Sequence, residues 1–275
     1  MSVRIKATAK SCRLEPMSNG TPSGSGLNQR YVPGIIGGMG SFAGVLFQLR
    51  LIECRKALGV SRDQDHPEWL FVNAASVPDR RAPSAGSNCI AKLIQFGRKL
   101  EQSGCDFIVV PCNRAHVHWS EVQRELGVPW LHMPRLVSAE LKLAVPSIRR
   151  VAVLATTGTL LSGLYPAVLN ASGIAAISPS IGSEIQAGIM EAVYDPDFGI
   201  KATGTSISKQ VVVRLKAAVG WCQQMEAEAV LVGCTDLSAA TTHLGTTALP
   251  IIDALEILAR STIDVTYGRM SMHQS

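Results

Sequence analysis

Two cysteines, Cys112 and Cys234, occur in the same local setting: each follows a short apolar run, and each is followed at once by a residue able to hydrogen-bond, Asn113 or Thr235. A single cysteine after a buried strand is more often a small core residue than a catalyst. A matched pair is harder to assign to packing. A thiolate accepts a proton and a thiol donates one, and the free thiol pKa of about 8.5 falls toward working pH near positive charge or backbone N–H groups. Two thiols facing each other across one tetrahedral carbon supply the base and the acid of a 1,1-proton transfer, and exchange those roles after each turnover. The carbanion-like intermediate needs preorganised donors for its carboxylate, and Ser41, Asn113, Thr157 and Thr235 are the local candidates. Each of these four reads equally well as a turn residue bonding its own backbone. Cys12, Cys54, Cys89, Cys105 and Cys222 lack the matched setting and read as packing residues.

The elements that must carry these residues occur twice. Tyr31 to Gly38 reads as a buried strand running into the turn Gly37-Gly38-Met39-Gly40-Ser41, followed by helical spacing from Val45 to Ala57. Arg150 to Thr159 repeats the pattern, with the strand Val151-Ala152-Val153-Leu154 opening into Ala155-Thr156-Thr157-Gly158-Thr159. The first copy continues from a helix ending near Ser103-Gly104 into the strand Asp106 to Val110 and the turn Pro111-Cys112-Asn113. The second continues from a helix between Val211 and Ala227 into Ala229-Val230-Leu231-Val232 and the turn Gly233-Cys234-Thr235. Past the cysteines, Gly127-Val128-Pro129-Trp130-Leu131-His132 matches Ala248-Leu249-Pro250-Ile251-Ile252-Asp253. Strands this apolar, alternating with helices, predict parallel sheets covered on both faces. The expected fold is α/β, with two pseudo-symmetric lobes, each a mainly parallel sheet flanked by helices. Its active site lies between the lobes, where the loops at the carboxyl ends of the strands converge.

Composition sets the outer bounds. At 275 residues, nearly half of them apolar, the chain can bury one large core or two modest ones. The net charge of +5 is spread too thinly to point to nucleic acid, apart from the clustered Arg4, Lys6, Lys10 and Arg13. No apolar run approaches the roughly 20 residues that cross a bilayer. Seven cysteines without a CxxC pair or an apolar signal segment point to a reducing cytoplasm rather than a disulfide framework. Residues 1–30 read as a flexible arm, 31–145 as the first lobe and 146–248 as the second. Residues 249–265 read as a segment packing back on the lobes, and 266–275 as a loose tail. The glycines from Gly34 to Gly40 lack the Gly-Lys-Ser/Thr ending and the spacing of a nucleotide fingerprint. His116 and His118 have no partner cluster at metal-ligand spacing, so no metal is expected.

At this point the chain resembles the aspartate/glutamate racemase family, from about Tyr31 to Ile263. The resemblance is carried by Gly37-Gly38-Met39-Gly40, Arg62-Asp63-Gln64-Asp65-His66, Val77-Pro78-Asp79-Arg80, Pro111-Cys112-Asn113 with His116, Ala155-Thr156-Thr157-Gly158-Thr159, and Gly233-Cys234-Thr235-Asp236, in that order. It implies cofactor-independent racemisation of an amino acid, aspartate, glutamate or a related small one, by an enzyme that is commonly a homodimer. It also implies Cys112 and Cys234 as the acid/base pair and Arg80 as the anchor of a substrate carboxylate, a task suited to a bidentate guanidinium. Met39, in the first glycine turn beside Ser41, is a further substrate-binding candidate. His116 and Asp236 either orient the thiols or cap helices.

Three positions depart from the family pattern: Arg114 and Gly44 stand where threonine is usual, and Ala167 stands at the place expected for a side-chain-binding lysine. Arg114 has three readings: it replaces the charge of that lysine, fills the pocket, or acts directly on the Cys112 thiol. A related hydantoin racemase, malonate decarboxylase or maleate isomerase activity, or a non-catalytic ligand-binding relative, are the other readings of the same residues.

Overall fold

A computed structural model of the chain describes residues 28–79, 85–144 and 146–272. Most of the expected arm, together with Cys12, Arg80 and residues 273–275, lies outside the described residues. The strands β1 (Pro33–Gly37), β2 (Leu70–Asn73) and β3 (Phe107–Val109) form a parallel sheet in the order β2-β1-β3, and Trp130 adds a parallel bridge to Ile108 at its edge. The strands β4 (Arg150–Leu154), β5 (Ala175–Ile177), β6 (Ala229–Val232) and β7 (Ile251–Asp253) form a second parallel sheet in the order β5-β4-β6-β7. The two orders are equivalent: in each sheet the strand before the Gly/Thr turn lies beside the strand before the cysteine turn. The helices are α1 (Ser41–Ala57), α2 (Ala85–Gln102), α3 (Trp119–Gln123), α4 (Met133–Ala144) and α5 (Thr157–Leu161). Beyond them come α6 (Leu164–Asn170), α7 (Glu184–Tyr194), α8 (Ile200–Thr203), α9 (Lys209–Gln224) and α10 (Ala254–Thr266).

Side chains alternate between the two faces of a strand, and this alternation sorts the core. Ile35, Phe107, Val109, Val151, Val153, Ala229 and Leu231 all enter one buried cluster with α1, α4, α6 and α10. Their neighbours Ile36, Ile108 and Val110 pack instead against α2, and Ala152, Leu154, Val230 and Val232 against α7 and α9. The two sheets therefore share a central helical layer, and each has its own outer layer. Within the central layer α10, from the second copy, packs on α1 and α4, while α4, from the first copy, packs on α6. Each copy thus sends its last helix across to the other.

Local chemistry sets the element boundaries. Ser183 and Ser208 accept hydrogen bonds from the N–H groups of Gln186 and Val211, starting α7 and α9, and Asp253 does the same for α10 through Leu255. At Gly44 a Cβ would lie 3.3 Å from Gly37 Cα and 3.4 Å from Phe71 Cζ, so the missing side chain lets α1 lie close on β1.

The expected loose tail does not describe its first residues. The N–H groups of Gly268 and Arg269 donate to Val265 and Asp264 carbonyls, Arg269 pairs with Asp264 at 2.7 Å, and buried Tyr267 lies under the Arg55 guanidinium. An aromatic side chain and an ion pair hold this stretch against α10 and α1. The end of the expected arm is also fastened, with Arg30 N–H donating to Thr266 O and Gln29 bonded to the Glu68 backbone. Among the described residues no helix is long and apolar enough to cross a membrane.

Candidate active site

The carboxyl ends of β1, β3, β4 and β6 open toward one another. Between them lies a cleft with about 470 Å³ of empty space, part of it open to solvent. Met39 comes from the turn after β1, Cys112, Asn113 and Arg114 from the turn after β3, and Cys234, Thr235 and Asp236 from the turn after β6. Both cysteines carry free thiols, and both are nearly buried. Cys54, Cys89, Cys105 and Cys222 are buried in the core away from this wall.

Each cysteine turn is held from behind. Cys112 N–H donates to Val110 O at 2.8 Å, and the chain then enters a tight 3-10 turn over Asn113–His118. His116 lies beneath this turn rather than in the cleft wall, its Nε2–H donating to Val110 O at 3.1 Å. Burial holds the His116 imidazole well below its ordinary pKa, with the neighbouring His132 adding to the effect, so the ring is neutral. Four residues past Cys234, Ser238 takes the corresponding place and donates to Asp253 Oδ1 at 2.7 Å.

The electrostatics of the second cysteine are set by opposing groups. Burial pushes the Cys234 thiol up to about 12 and the Asp236 carboxylate pushes the same way, while the N–H groups of Leu237 and Asp236 and the Lys201 ammonium pull it down. Asp236 is itself paired with Lys201 at 2.9 Å, and both abut Gly40, where a Cβ would stand 2.8 Å from Lys201 Nζ. Lys201 thus meets the second cysteine turn and the first glycine turn together. Arg114 reaches across from the first lobe to the second and donates through Nη1 to Gly158 O at 2.6 Å.

Of the residues singled out in sequence, Met39, Cys112, Asn113, Arg114, Cys234, Thr235 and Asp236 meet in this cleft. Ser41 is exposed at the start of α1 and is not part of the wall. Thr157 turns aside: its hydroxyl accepts from Gln186 Nε2 at 3.1 Å and its N–H donates to Met190 Sδ, leaving Thr156, Gly158 and Thr159 to form the surface there. Arg80 lies outside the described residues. Sequence reasoning missed Thr156, Thr159, Met190, Tyr194 and Lys201. Only the threonines sat in a recognised turn; Met190, Tyr194 and Lys201 reach the site from α7 and α8, which no cysteine or glycine motif marks. Ala167, at the position where the family pattern leads to an expected lysine, is exposed on α6.

A family model described as Asp/Glu/Hydantoin racemase matches residues 36–262. The chain belongs to that family. The racemase family makes the protein an enzyme of the isomerase class. The chain is 28% identical over 233 residues to a broad specificity amino-acid racemase of Bacillus subtilis, a match covering 84% of this chain and 96% of that one. Among solved structures, an aspartate racemase of Picrophilus torridus matches with a TM-score of 0.67 at 25% identity, covering 89% of this chain and 98% of that one. An aspartate racemase homologue from Pyrococcus horikoshii matches with a TM-score of 0.66 at 23% identity, covering 86% and 99%, and carries the same fold. The racemase match takes in all four turns that converge on the cleft.

Proposed function

We propose that the protein is a cofactor-independent amino-acid racemase in which Cys112 and Cys234 transfer protons to and from opposite faces of one α-carbon. The observation that carries this reading is the meeting of the two cysteine turns, from equivalent strands of the two lobes, on one cleft. Burial raises the Cys234 thiol pKa and so favours its protonated, proton-donating form. In one direction Cys112 removes the α-proton while Cys234 delivers one to the opposite face. In the reverse direction the roles exchange. Asn113, Thr235 and the hydroxyls of Thr156 and Thr159 offer donors to the substrate carboxylate as negative charge develops.

The preferred substrate is an acidic amino acid, aspartate or glutamate, or a related small amino acid. Among the described residues, Arg114 and Asp236 are the charged side chains of the cleft wall, and Lys201 stands beside it, paired with Asp236. Arg114 spends one N–H on Gly158 O and keeps the rest of its fork for a carboxylate. Arg80 belongs to the same reading as a carboxylate anchor, and the B. subtilis relative's broad specificity keeps smaller side chains in view. A homodimer in the cytoplasm is the form in which we expect it to act, and sedimentation velocity reads that assembly directly.

The test is α-hydrogen exchange in deuterated water with both enantiomers of candidate amino acids, and with hydantoins as the competing class. Wild-type protein should exchange and racemise an amino acid. Cys112→Ser and Cys234→Ser should each lower racemisation by roughly 10³-fold or more, since each removes one of two obligatory proton carriers. Each should retain slow exchange of one enantiomer only, and opposite ones. Racemisation by either variant at the wild-type rate would overturn the two-thiol mechanism.

A further inference from the structure

Tyr165, on α6 of the second lobe, is buried and does not line the cleft, yet it touches both cysteine turns. Its hydroxyl donates to Oδ1 of Asn113, the residue after Cys112, across the lobe boundary. Its ring packs on Gly233, the residue before Cys234, where a Cβ would stand only 2.9 Å from Tyr165 Cε2. One side chain therefore spans the distance between the two turns. A larger residue at position 233 would displace it.

The hydrogen bond also decides how the Asn113 amide is turned. A buried phenol must place its proton on an acceptor, and Asn113 Oδ1 is the one it meets. Burial, with the nearby Asp253 carboxylate and Cys234, raises the Tyr165 pKa, so the phenol stays protonated and remains a donor. With Oδ1 committed, Nδ2 faces the other way. Asn113 lines the cleft, and this Nδ2 is buried with no hydrogen-bond partner. An unmatched buried donor carries a desolvation cost that a bound anionic oxygen relieves.

We propose that Tyr165 is a positioning residue of the racemase reaction. It fixes the two cysteine turns relative to each other and holds the Asn113 amide so that Nδ2 donates to the substrate carboxylate as it takes on enolate character. The inference rests on the racemase reading given above. It concerns a residue that never meets the substrate.

The test is a double-mutant cycle on racemisation. Tyr165→Phe keeps the ring against Gly233 and removes only the hydroxyl. With Asn113 intact, it should lower kcat/KM by roughly 10²-fold, the loss falling mainly on kcat because the donor matters most as charge develops. In an Asn113→Ala background the same change should cost less than twofold, since there is no amide left to orient. A loss of equal size in both backgrounds marks a general packing defect and overturns the role, as does a Tyr165→Phe enzyme within twofold of wild type. If the unmodified protein exchanges no α-hydrogen, the racemase reading falls and this role with it. If the unmodified protein exchanges while the cycle is additive, only the role of Tyr165 falls.

Discussion

At the scale of single residues, Cys234 shows how the site's charge is balanced. Its thiol is held up by burial first and by Asp236 second, against two backbone N–H groups and Lys201. Replacing Asp236 by asparagine removes one opposing charge and frees Lys201 from its 2.9 Å pair, and both changes lower the Cys234 pKa. In a Cys112→Ser background, iodoacetamide should therefore alkylate Cys234 several-fold faster at pH 8 when Asp236→Asn is added, because the thiolate is the nucleophile. An unchanged or slower rate would show that the carboxylate does not act on the sulfur. The two cysteines were legible in sequence because the chain repeats their setting. Lys201 and Tyr165 were not, because their roles arise only when helices from one copy are folded against turns of the other. Arg114 was legible as an oddity, but its bond to Gly158 could not be read from spacing.

At the scale of elements, the strands were the most readable feature: their unbroken apolar runs reflect burial on both faces, and β1, β3, β4 and β6 lie where those runs are. The short helices α5, α6 and α8 were hard to see because they are too brief for a clear helical period. The turn beneath Cys112 carries its own prediction. His116 and His132 meet edge to face with ring centroids 5.4 Å apart, and His132 Nδ1 accepts from Arg135 N–H at the start of α4. Burial, with Arg135 nearby, lowers the His132 pKa to about 4, below its ordinary value near 6.5. Between those values the unfolded chain binds a proton that the folded chain does not, so stability is lost as pH falls from about 6.5 toward 4. From pH 7 to 4.5 this one group should cost roughly 2–3 kcal/mol. His132→Asn keeps an acceptor for Arg135 and removes the titration, so its urea-unfolding free energy should fall less over that range than the wild type's. Parallel pH curves for the two proteins would rule out His132 as the source.

At the scale of the whole molecule, the duplicated sequence predicted two lobes but not how they are joined. Two equivalent α/β units could each have closed around a core of its own. Instead the inner faces of both sheets feed one cluster, with α10 lying on α1 and α4, α4 on α6, and Arg260 of α10 bonded to Glu140 of α4 at 2.8 Å. Neither lobe can unfold without exposing apolar surface of the other, so the two should melt as one cooperative unit despite their separate sheets. The tryptophans make this measurable: Trp69, Trp119 and Trp130 lie in the first lobe and Trp221 on α9 in the second. In a Trp221→Phe variant, indole fluorescence reports the first lobe alone, while far-UV circular dichroism reports every helix of the chain. Urea transitions followed by the two signals should coincide in midpoint and slope. Splitting of the curves, with fluorescence and dichroism changing at different urea concentrations, would mean the central helical layer does not couple the lobes. The cleft would then lie between independently moving bodies, and the spacing of Cys112 and Cys234 would not be fixed by the fold.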